Sequence, residues 1–513
     1  MQRNSRSLLP PIFALIVLTS VALALYFTSP TDGDFWWYDA SRHAMNGVFI
    51  RDFIIDGGVQ HPIQFASAYY QKYPAINIGF YPPFFYLTSA PFLAIFGPTH
   101  AVSQAVVTLY ALGAMLSIYF LCSRQMSRVA ALAAAACVIT FPEMALWARQ
   151  VQLDIPAIAL LIVAAFALTR YLENQSRSWL YAATSLLGIA ILTRAQAICV
   201  IPAVMFFLFI PKYAHLASLK TRILALVPLI ILSMPSLAMV AYFSRVNQSQ
   251  VVQMPGMPRL LSFGNWGWYA SYLPEQIGWP ALVFTTCGLA AALVLGVQKR
   301  LPTAAMVAGM FCLSSWIFFS LISNKEPRFN LPSVPFLFLF SVFALNVLFP
   351  FLTRFALLVL ALWLAFQALA VAHVPVVGGY KEAVELAQNV TPRNTNVLIS
   401  AHRDGSFIYD MRTIGKRRDI GIRRADKLFV EINIRREFGI KDRRLSKEDL
   451  LELLKRENVT TIVVQNGYLE EQETMRNFKQ LLDSGEYYKI VNTVRMRGDT
   501  RPDENLLTVY VRN

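Results

Sequence analysis

Acidic residues are scarce through most of this chain: only ten Asp and Glu stand before residue 381, against 21 Lys and Arg. Charged residues make up 15% of the whole and hydrophobic ones 56%, with a mean hydropathy of +0.45. The formal charge of +15 is not a nucleic-acid footprint, because the bases before residue 381 sit mostly in short loops between apolar runs rather than in a stripe. Cysteine is sparse too. Cys122, Cys137, Cys199, Cys287 and Cys312 lie in or beside apolar segments with no metal-ligand spacing, and the tail after residue 380 has none. They read as small hydrophobes, which excludes a zinc framework and a disulfide scaffold. A Gly-rich nucleotide fingerprint is missing as well: the Gly405 and Gly415 region has the wrong spacing.

What is present is a series of long apolar runs, and these predict a multi-spanning α-helical membrane protein. Eleven crossings are expected, at about 8–29, 101–122, 129–145, 155–172, 178–193, 196–211, 223–243, 279–297, 302–323, 329–349 and 355–374. The first follows Arg3 and Arg6 and lacks a small-residue cleavage site, so it reads as an anchor rather than a signal peptide. A twelfth run, Phe80–Gly97, contains Pro82, Pro83 and Pro91. Charge decides its placement. If it does not cross, one side of the membrane receives twelve bases, from Arg3 and Arg6 to Arg354, with Glu173 as the only acid. That is the asymmetry of the positive-inside rule, and it places Phe80–Gly97 as an interfacial or half-inserted helix on the outer face. The N-terminus is then cytoplasmic. The first polar loop and the C-terminal domain are then outside.

The expected division is a transmembrane domain, 1–378, with a large first outer loop at 31–100, and an extracytoplasmic α/β domain, 379–513. Thr31–Ile78 holds Asp32, Asp34, Asp39, Asp52 and Asp56, half of the acids before residue 381. A third outer loop, Ser244–Gly278, carries Trp266, Trp268, Tyr269 and Tyr272, read either as a headgroup-level aromatic belt or as a lid. In the tail, Asn396–Ser400 and Val459–Val464 predict strands, and Gly405–Ile414 and Leu469–Leu482 helices. Ser446–Asp449 reads as a capping box before Leu450, Leu451, Leu453 and Leu454. Tyr487–Met496 and Asn505–Arg512 read as a closing strand pair, so the sheet is expected to be partly parallel. Paired arginines (417/418, 423/424, 435/436, 443/444) suggest a solvated surface or contact with an anionic acceptor or lipid headgroups.

The informative charges are those at outer helix ends. Asp154 stands just before an apolar helix, with Pro156 suited to its first turn and Arg149 ahead of it. Arg194 follows Leu192-Thr193, and Lys325-Glu326-Pro327-Arg328 precedes another span. Bases are not favoured on that side, so a phosphate ligand explains them. The plainer alternative is that Arg149–Asp154 and Glu326–Arg328 are local ion pairs holding helix ends. Together these features suit a lipid-phosphate sugar donor, with its phosphate among arginines and a carboxylate, Asp39 or Asp154, as general base. A divalent metal ion would need ligands from the carboxylates with His43 or His61, though no spacing is diagnostic.

Four stretches resemble the large membrane glycosyltransferases of the GT-C fold, closest to the dolichyl-phosphate-mannose protein mannosyltransferase type and its bacterial relatives, including the aminoarabinose transferase. Tyr38-Asp39-Ala40-Ser41-Arg42-His43-Ala44 resembles the first outer-loop motif, whose Asp is catalytic, with Ala40 where Glu is common. Gly79-Phe80-Tyr81-Pro82-Pro83 is similar to the Pro-Pro-aromatic stretch. Leu153-Asp154-Ile155-Pro156 is similar to the second important carboxylate. Pro327-Arg328-Phe329-Asn330-Leu331-Pro332 resembles the late Arg-aromatic motif. Arg194 falls where Lys often stands. Phe80-Tyr81 departs from the Glu-Lys pair of the aminoarabinose branch, and Lys72 is the candidate substitute. The resemblance implies catalytic Asp39 and Asp154, phosphate-binding Arg328, Arg194, Arg149 and Lys72, and a pocket with Tyr38, Arg42, Tyr81 and Pro82. It also implies a polyprenyl-phosphate-linked sugar donor, surrounding membrane lipids, and a glycan, lipid or protein acceptor. No nucleic-acid partner is expected. The location expected is a prokaryotic inner membrane. The competing expectation is a transporter or flippase of a lipid-linked or polyanionic substrate, which should carry midplane charges and repeated halves. Neither is evident.

Overall fold

The structure is a computed structural model and describes residues 9–77, 79–244, 257–432 and 439–513. Arg3, Arg6, Arg435, Arg436 and the start of the third outer loop's tip lie outside the described residues. The chain forms two compact units. One comprises residues 1–29, 79–85 and 105–373, the other 30–78, 86–104 and 374–513. This division differs from a cut at 378/379, because the first polar stretch is tied to the tail by ion pairs and a backbone bridge.

The helical unit holds α1 (Leu9–Phe27) and, after α2 (Tyr38–Ile55), α3 (Pro62–Lys72) and α4 (Phe84–Phe96), nearly all of α5 (His100–Cys122). It continues with α6 (Arg128–Thr140), α7 (Pro142–Ala148), α8 (Asp154–Asn174), α9 (Arg177–Thr193), α10 (Ile201–Phe209), α11 (Leu219–Tyr242) and α12 (Phe263–Ile277). It closes with α13 (Trp279–Val297), α14 (Thr303–Ser320), α15 (Ser333–Leu348) and α16 (Pro350–Phe366). Among the described residues six helices are long and apolar enough to cross a membrane, or seven if α6 and α7, bent by 71°, count as one span. This is a multi-pass membrane protein. The helices lie on the eleven expected segments, but several, such as α10 and α15, are shorter than a full crossing needs. The bend has a local cause: Pro142 cannot donate to the carbonyl four residues back, so the Ala-rich α6 stops there.

Small residues set the closest helix contacts. Gly288 of α13 lies against Ser341 of α15, where a Cβ would sit 2.3 Å from the serine Cβ. Ser341 Oγ also donates to the Thr285 carbonyl at 3.0 Å, which ties the two helices together.

In the α/β unit the tail supplies α17 (Tyr380–Val390), β1 (Asn396–Ser400), α18 (Asp404–Thr413), β2 (Gly421–Arg424) and α19 (Lys447–Arg456). It then adds β3 (Val459–Gln465), α20 (Glu473–Asp483), β4 (Tyr488–Arg495) and β5 (Leu506–Arg512). The sheet runs β2-β1-β3-β5-β4, parallel across β2, β1 and β3 and antiparallel from β3 to β4. Leu398, Ile462, Leu450, Leu454, Phe478 and Leu481 form the core between sheet and helices. The Ser446–Asp449 capping box is present in both directions. The helix expected from Leu469 starts instead at Glu473, because Gly467 and Leu469 take left-handed φ of +78° and +56° in a turn. Residues 31–78 are not an irregular loop: α2 and α3 fill most of them.

Among the described arginine pairs of the tail, 443/444 is exposed, whereas 417/418 and 423/424 are engaged by carboxylates. Arg417 bonds Asp419, Arg418 reaches Asp56 at 3.2 Å, Arg423 reaches Glu457 at 2.8 Å, and Arg424 sits between Asp404 and Asp426.

Candidate functional site

The acids of the first polar stretch sort themselves by what they touch. Asp34 accepts the Tyr380 N–H at 3.0 Å and shares a hydrogen bond with Asp410. A carboxylate pair can make that bond only by holding a proton, and burial pushes both groups above the ordinary range, Asp410 well above it. Asp52 pairs with Arg412 at 2.6 Å and accepts the Tyr69 hydroxyl at 2.7 Å. Asp56 pairs with Arg418. Asp32 is exposed and contributes only its backbone carbonyl, to Lys381. Asp39 remains. It lies half-buried in the first turn of α2, where a carboxylate faces the positive end of the helix dipole. No hydrogen bond or ion pair engages its side chain among the described residues.

The residues around Asp39 are locked. Arg403 is buried, donates to the Trp36 carbonyl and to both Glu504 oxygens, and lies 5.2 Å from the centre of the Tyr38 ring. Arg501 donates to the Tyr38 hydroxyl at 3.2 Å. Arg42 faces Asp404 at 3.8 Å. Gly405 approaches so closely that a Cβ there would meet Ser41 Oγ at 2.4 Å. Tyr38 and Arg42 are thus held by the start of α18 and the loop before β5, which the sequence motif does not reveal.

The two histidines of the first polar stretch stand on different elements. His43 is buried, with Nδ1 at 2.8 Å from the Tyr86 hydroxyl, and His61 precedes α3. Among the described residues no group of three His, Cys, Asp or Glu could hold a metal ion. Lys72 ends α3, half-buried over Tyr73, and burial pushes its ammonium below the usual range; Asp419, Arg412 and Arg418 are its charged neighbours.

In the helical unit Asp154 opens α8 and pairs with Arg194, the residue that closes α9. Arg149 is not its partner, contrary to the local-pair reading. The local pair of Glu326 and Arg328 does form, at 2.7 Å, and Arg328 lies 5.2 Å from the Trp147 ring centre. Arg149 is 2% exposed and donates to the Ala368 carbonyl, and its Nε has no partner among the described residues. No carboxylate pairs with it among the described residues. Gln150 and Gln152 beside it are buried, with amide atoms left unsatisfied. Tyr81 stacks edge-on with Phe80 at 5.0 Å, and Pro82 is buried.

Sequence reasoning missed a cluster here. Glu143, at the start of α7, accepts the Trp147 indole N–H at 3.3 Å, and Gln276 donates to the Pro327 carbonyl at 2.8 Å. The aromatic stretch forms α12, whose Tyr269 is buried, 5.0 Å from the Lys325 ammonium. Burial pushes that ammonium below its usual range. An acid inside an apolar run, Glu143, was the available signal.

With the geometry in place, comparison with known proteins decides the fold. Residues 81–239 match the family model for dolichyl-phosphate-mannose-protein mannosyltransferase. Two solved structures of ArnT from Cupriavidus metallidurans match along nearly the whole chain. The one bound to undecaprenyl phosphate has a TM-score of 0.63 at 12% identity, covering 96% of this chain and 97% of the other. The chain has the fold of a GT-C glycosyltransferase. The apo ArnT structure agrees, with a TM-score of 0.60 at 14% identity and the same coverage. No curated protein sequence matches. The stretch shared with the mannosyltransferase model includes Tyr81, Pro82, Arg149, Asp154 and Arg194, and excludes Asp39, Lys72 and Arg328.

Proposed function

We propose that this GT-C chain transfers a sugar from a polyprenyl-phosphate-linked donor to an acceptor on the outer face of a bacterial inner membrane, with inversion at the anomeric carbon. The observation that carries the reading is the fold match over 96% of the chain to ArnT, a protein solved with undecaprenyl phosphate bound. The mannosyltransferase family model over residues 81–239 supports the same donor class. The distribution of Lys and Arg supports a cytoplasmic N-terminus and an outer α/β unit.

Asp39 is the general base. It takes the proton from the acceptor hydroxyl as that oxygen bonds to the anomeric carbon. The bond from that carbon to the phosphate oxygen breaks on the opposite face, and its electron pair leaves with the lipid phosphate. What supports Asp39 over the other acids is that, among the described residues, it alone is half-buried with no partner, so its lone pairs are available. Among the cations, Arg149 is the best phosphate ligand, because it is buried with no carboxylate beside it and gains most from an anion. Arg194 and Arg328 each carry a carboxylate already, which fixes their direction. Asp154 serves to orient Arg194.

The test uses membranes containing wild type, Asp39→Asn or Arg149→Ala at equal expression, each given a panel of radiolabelled polyprenyl-phosphate sugars. Transfer from one donor by wild type, abolished in Asp39→Asn, is expected. Undiminished transfer by Asp39→Asn would overturn the assignment. Movement of intact labelled lipid across the bilayer without consumption would favour a flippase.

A further inference from the structure

The helical unit carries a second feature that sugar transfer does not use, and the inference drawn from it does not rest on that reading. A cleft of about 460 Å³ is lined by Arg124, Gln125, Ser127, Asn346, Phe351 and Arg354, among others. It lies where α5 gives way to α6 and α15 gives way to α16. Two helices therefore begin at it, α6 at Arg128, capped by Ser127, and α16 at Pro350, and both place the positive end of the backbone dipole there. Asn346 fixes the wall by donating to the Gln125 carbonyl at 3.0 Å. Glu173 sits 3.2 Å from both Arg124 and Arg170, so two guanidinium groups share one carboxylate and the trio stays positive. Arg354 is exposed and engaged by no hydrogen bond or ion pair among the described residues. No acid lines the cleft. Along α16 beside it, Phe351, Leu352 and Phe355 are 83%, 62% and 61% exposed, an apolar strip suited to acyl chains.

We propose that this cleft binds the phosphodiester headgroup of an anionic phospholipid, with Arg354 and Arg124 on the phosphate oxygens and the acyl chains along α16. A zwitterionic lipid is disfavoured, since its ammonium finds no carboxylate in the lining. Inorganic phosphate shares the phosphate chemistry but lacks the contact with α16.

The experiment is native mass spectrometry of the purified full chain with equal phosphatidylglycerol and phosphatidylcholine. It compares wild type, Arg354→Glu, the milder Arg354→Gln, and Lys299→Glu as an exposed charge reversal outside the cleft. Wild type and Lys299→Glu are expected to retain phosphatidylglycerol about fivefold or more over phosphatidylcholine. Both Arg354 variants are expected to lose most of that preference, with unchanged melting in detergent. An unaltered preference in the two Arg354 variants overturns the site. In a competing arm, inorganic phosphate at millimolar concentration should leave the lipid in place; displacement there overturns the lipid assignment in favour of a free-phosphate site.

Discussion

Arg149 of the helical unit is treated differently from the buried arginines of the α/β unit. In the α/β unit Arg403 comes with Glu504, Arg412 with Asp52, and Arg424 with Asp404 and Asp426. Each such pair offsets the desolvation of its cation, and the α/β unit is held together by these cross-ties. In the helical unit Arg149 is as buried as Arg403 yet, among the described residues, has a backbone carbonyl and no carboxylate as partner. The same contrast runs through the acids: Asp34, Asp52 and Asp56 are taken up by the tail, and Asp39 is not. Pairing marks the residues that hold the fold. The unpaired ones are where a substrate has something to gain.

That contrast can be broken, most strongly at Asp39. Asp39→Asn is expected to lower transfer by about 10²- to 10⁴-fold with no change in thermal unfolding, measured on the same preparation; a matching loss of stability would make Asp39 structural. Arg403→Ala should do the reverse. It leaves Glu504, whose side chain is 0% exposed, as an uncompensated charge, and should cost about 3–5 kcal/mol in a thermal melt of the α/β unit. Gly288→Ala forces a methyl onto Ser341 and should cost about 1–3 kcal/mol, read as reduced melting in detergent with the transfer reaction retained at low temperature. The smallest effect concerns the proton shared by Asp34 and Asp410. Their folded-state affinity for it is raised, so the stability it gives is complete below the ordinary carboxylate range and is lost as pH rises through the raised value. Melting of wild type should therefore decline as pH climbs, and Asp410→Asn, which carries permanent N–H donors, should flatten that slope. An unchanged slope would remove the shared proton.

The helices of the helical unit were legible because apolar runs of membrane length leave little choice: every backbone group must be satisfied within the segment. The bend at Pro142 and the short α10 were less so, since run length alone does not tell a straight span from a broken one. In the tail, β-branched Val459–Val464 and the Ser446–Asp449 box announced themselves locally. The polar helix α17 and the four-residue β2 did not, because their stabilisation comes from neighbours far along the chain. Of the candidate site residues, Asp39, Asp154, Arg149 and Arg194 could be named from their positions at helix ends. The Arg194–Asp154 pair could not, as forty residues and a whole helical hairpin separate its members. Nor could the role of Arg403 and Arg501 around Tyr38.

By itself the sequence determined that this is a multi-pass helical protein with an α/β tail, since hydropathy and strand pattern act over short distances. It also determined where scarce charges fall relative to the apolar runs. Only the tertiary structure decided which of those charges are paired. Ion pairing depends on side chains brought within about 4 Å by folding, and no spacing along the chain encodes that distance. The same limit explains why Arg417, Arg418, Arg423 and Arg424 looked like a solvated surface and turned out to be paired, while Asp39 and Arg149, equally charged on paper, carry no ion pair among the described residues.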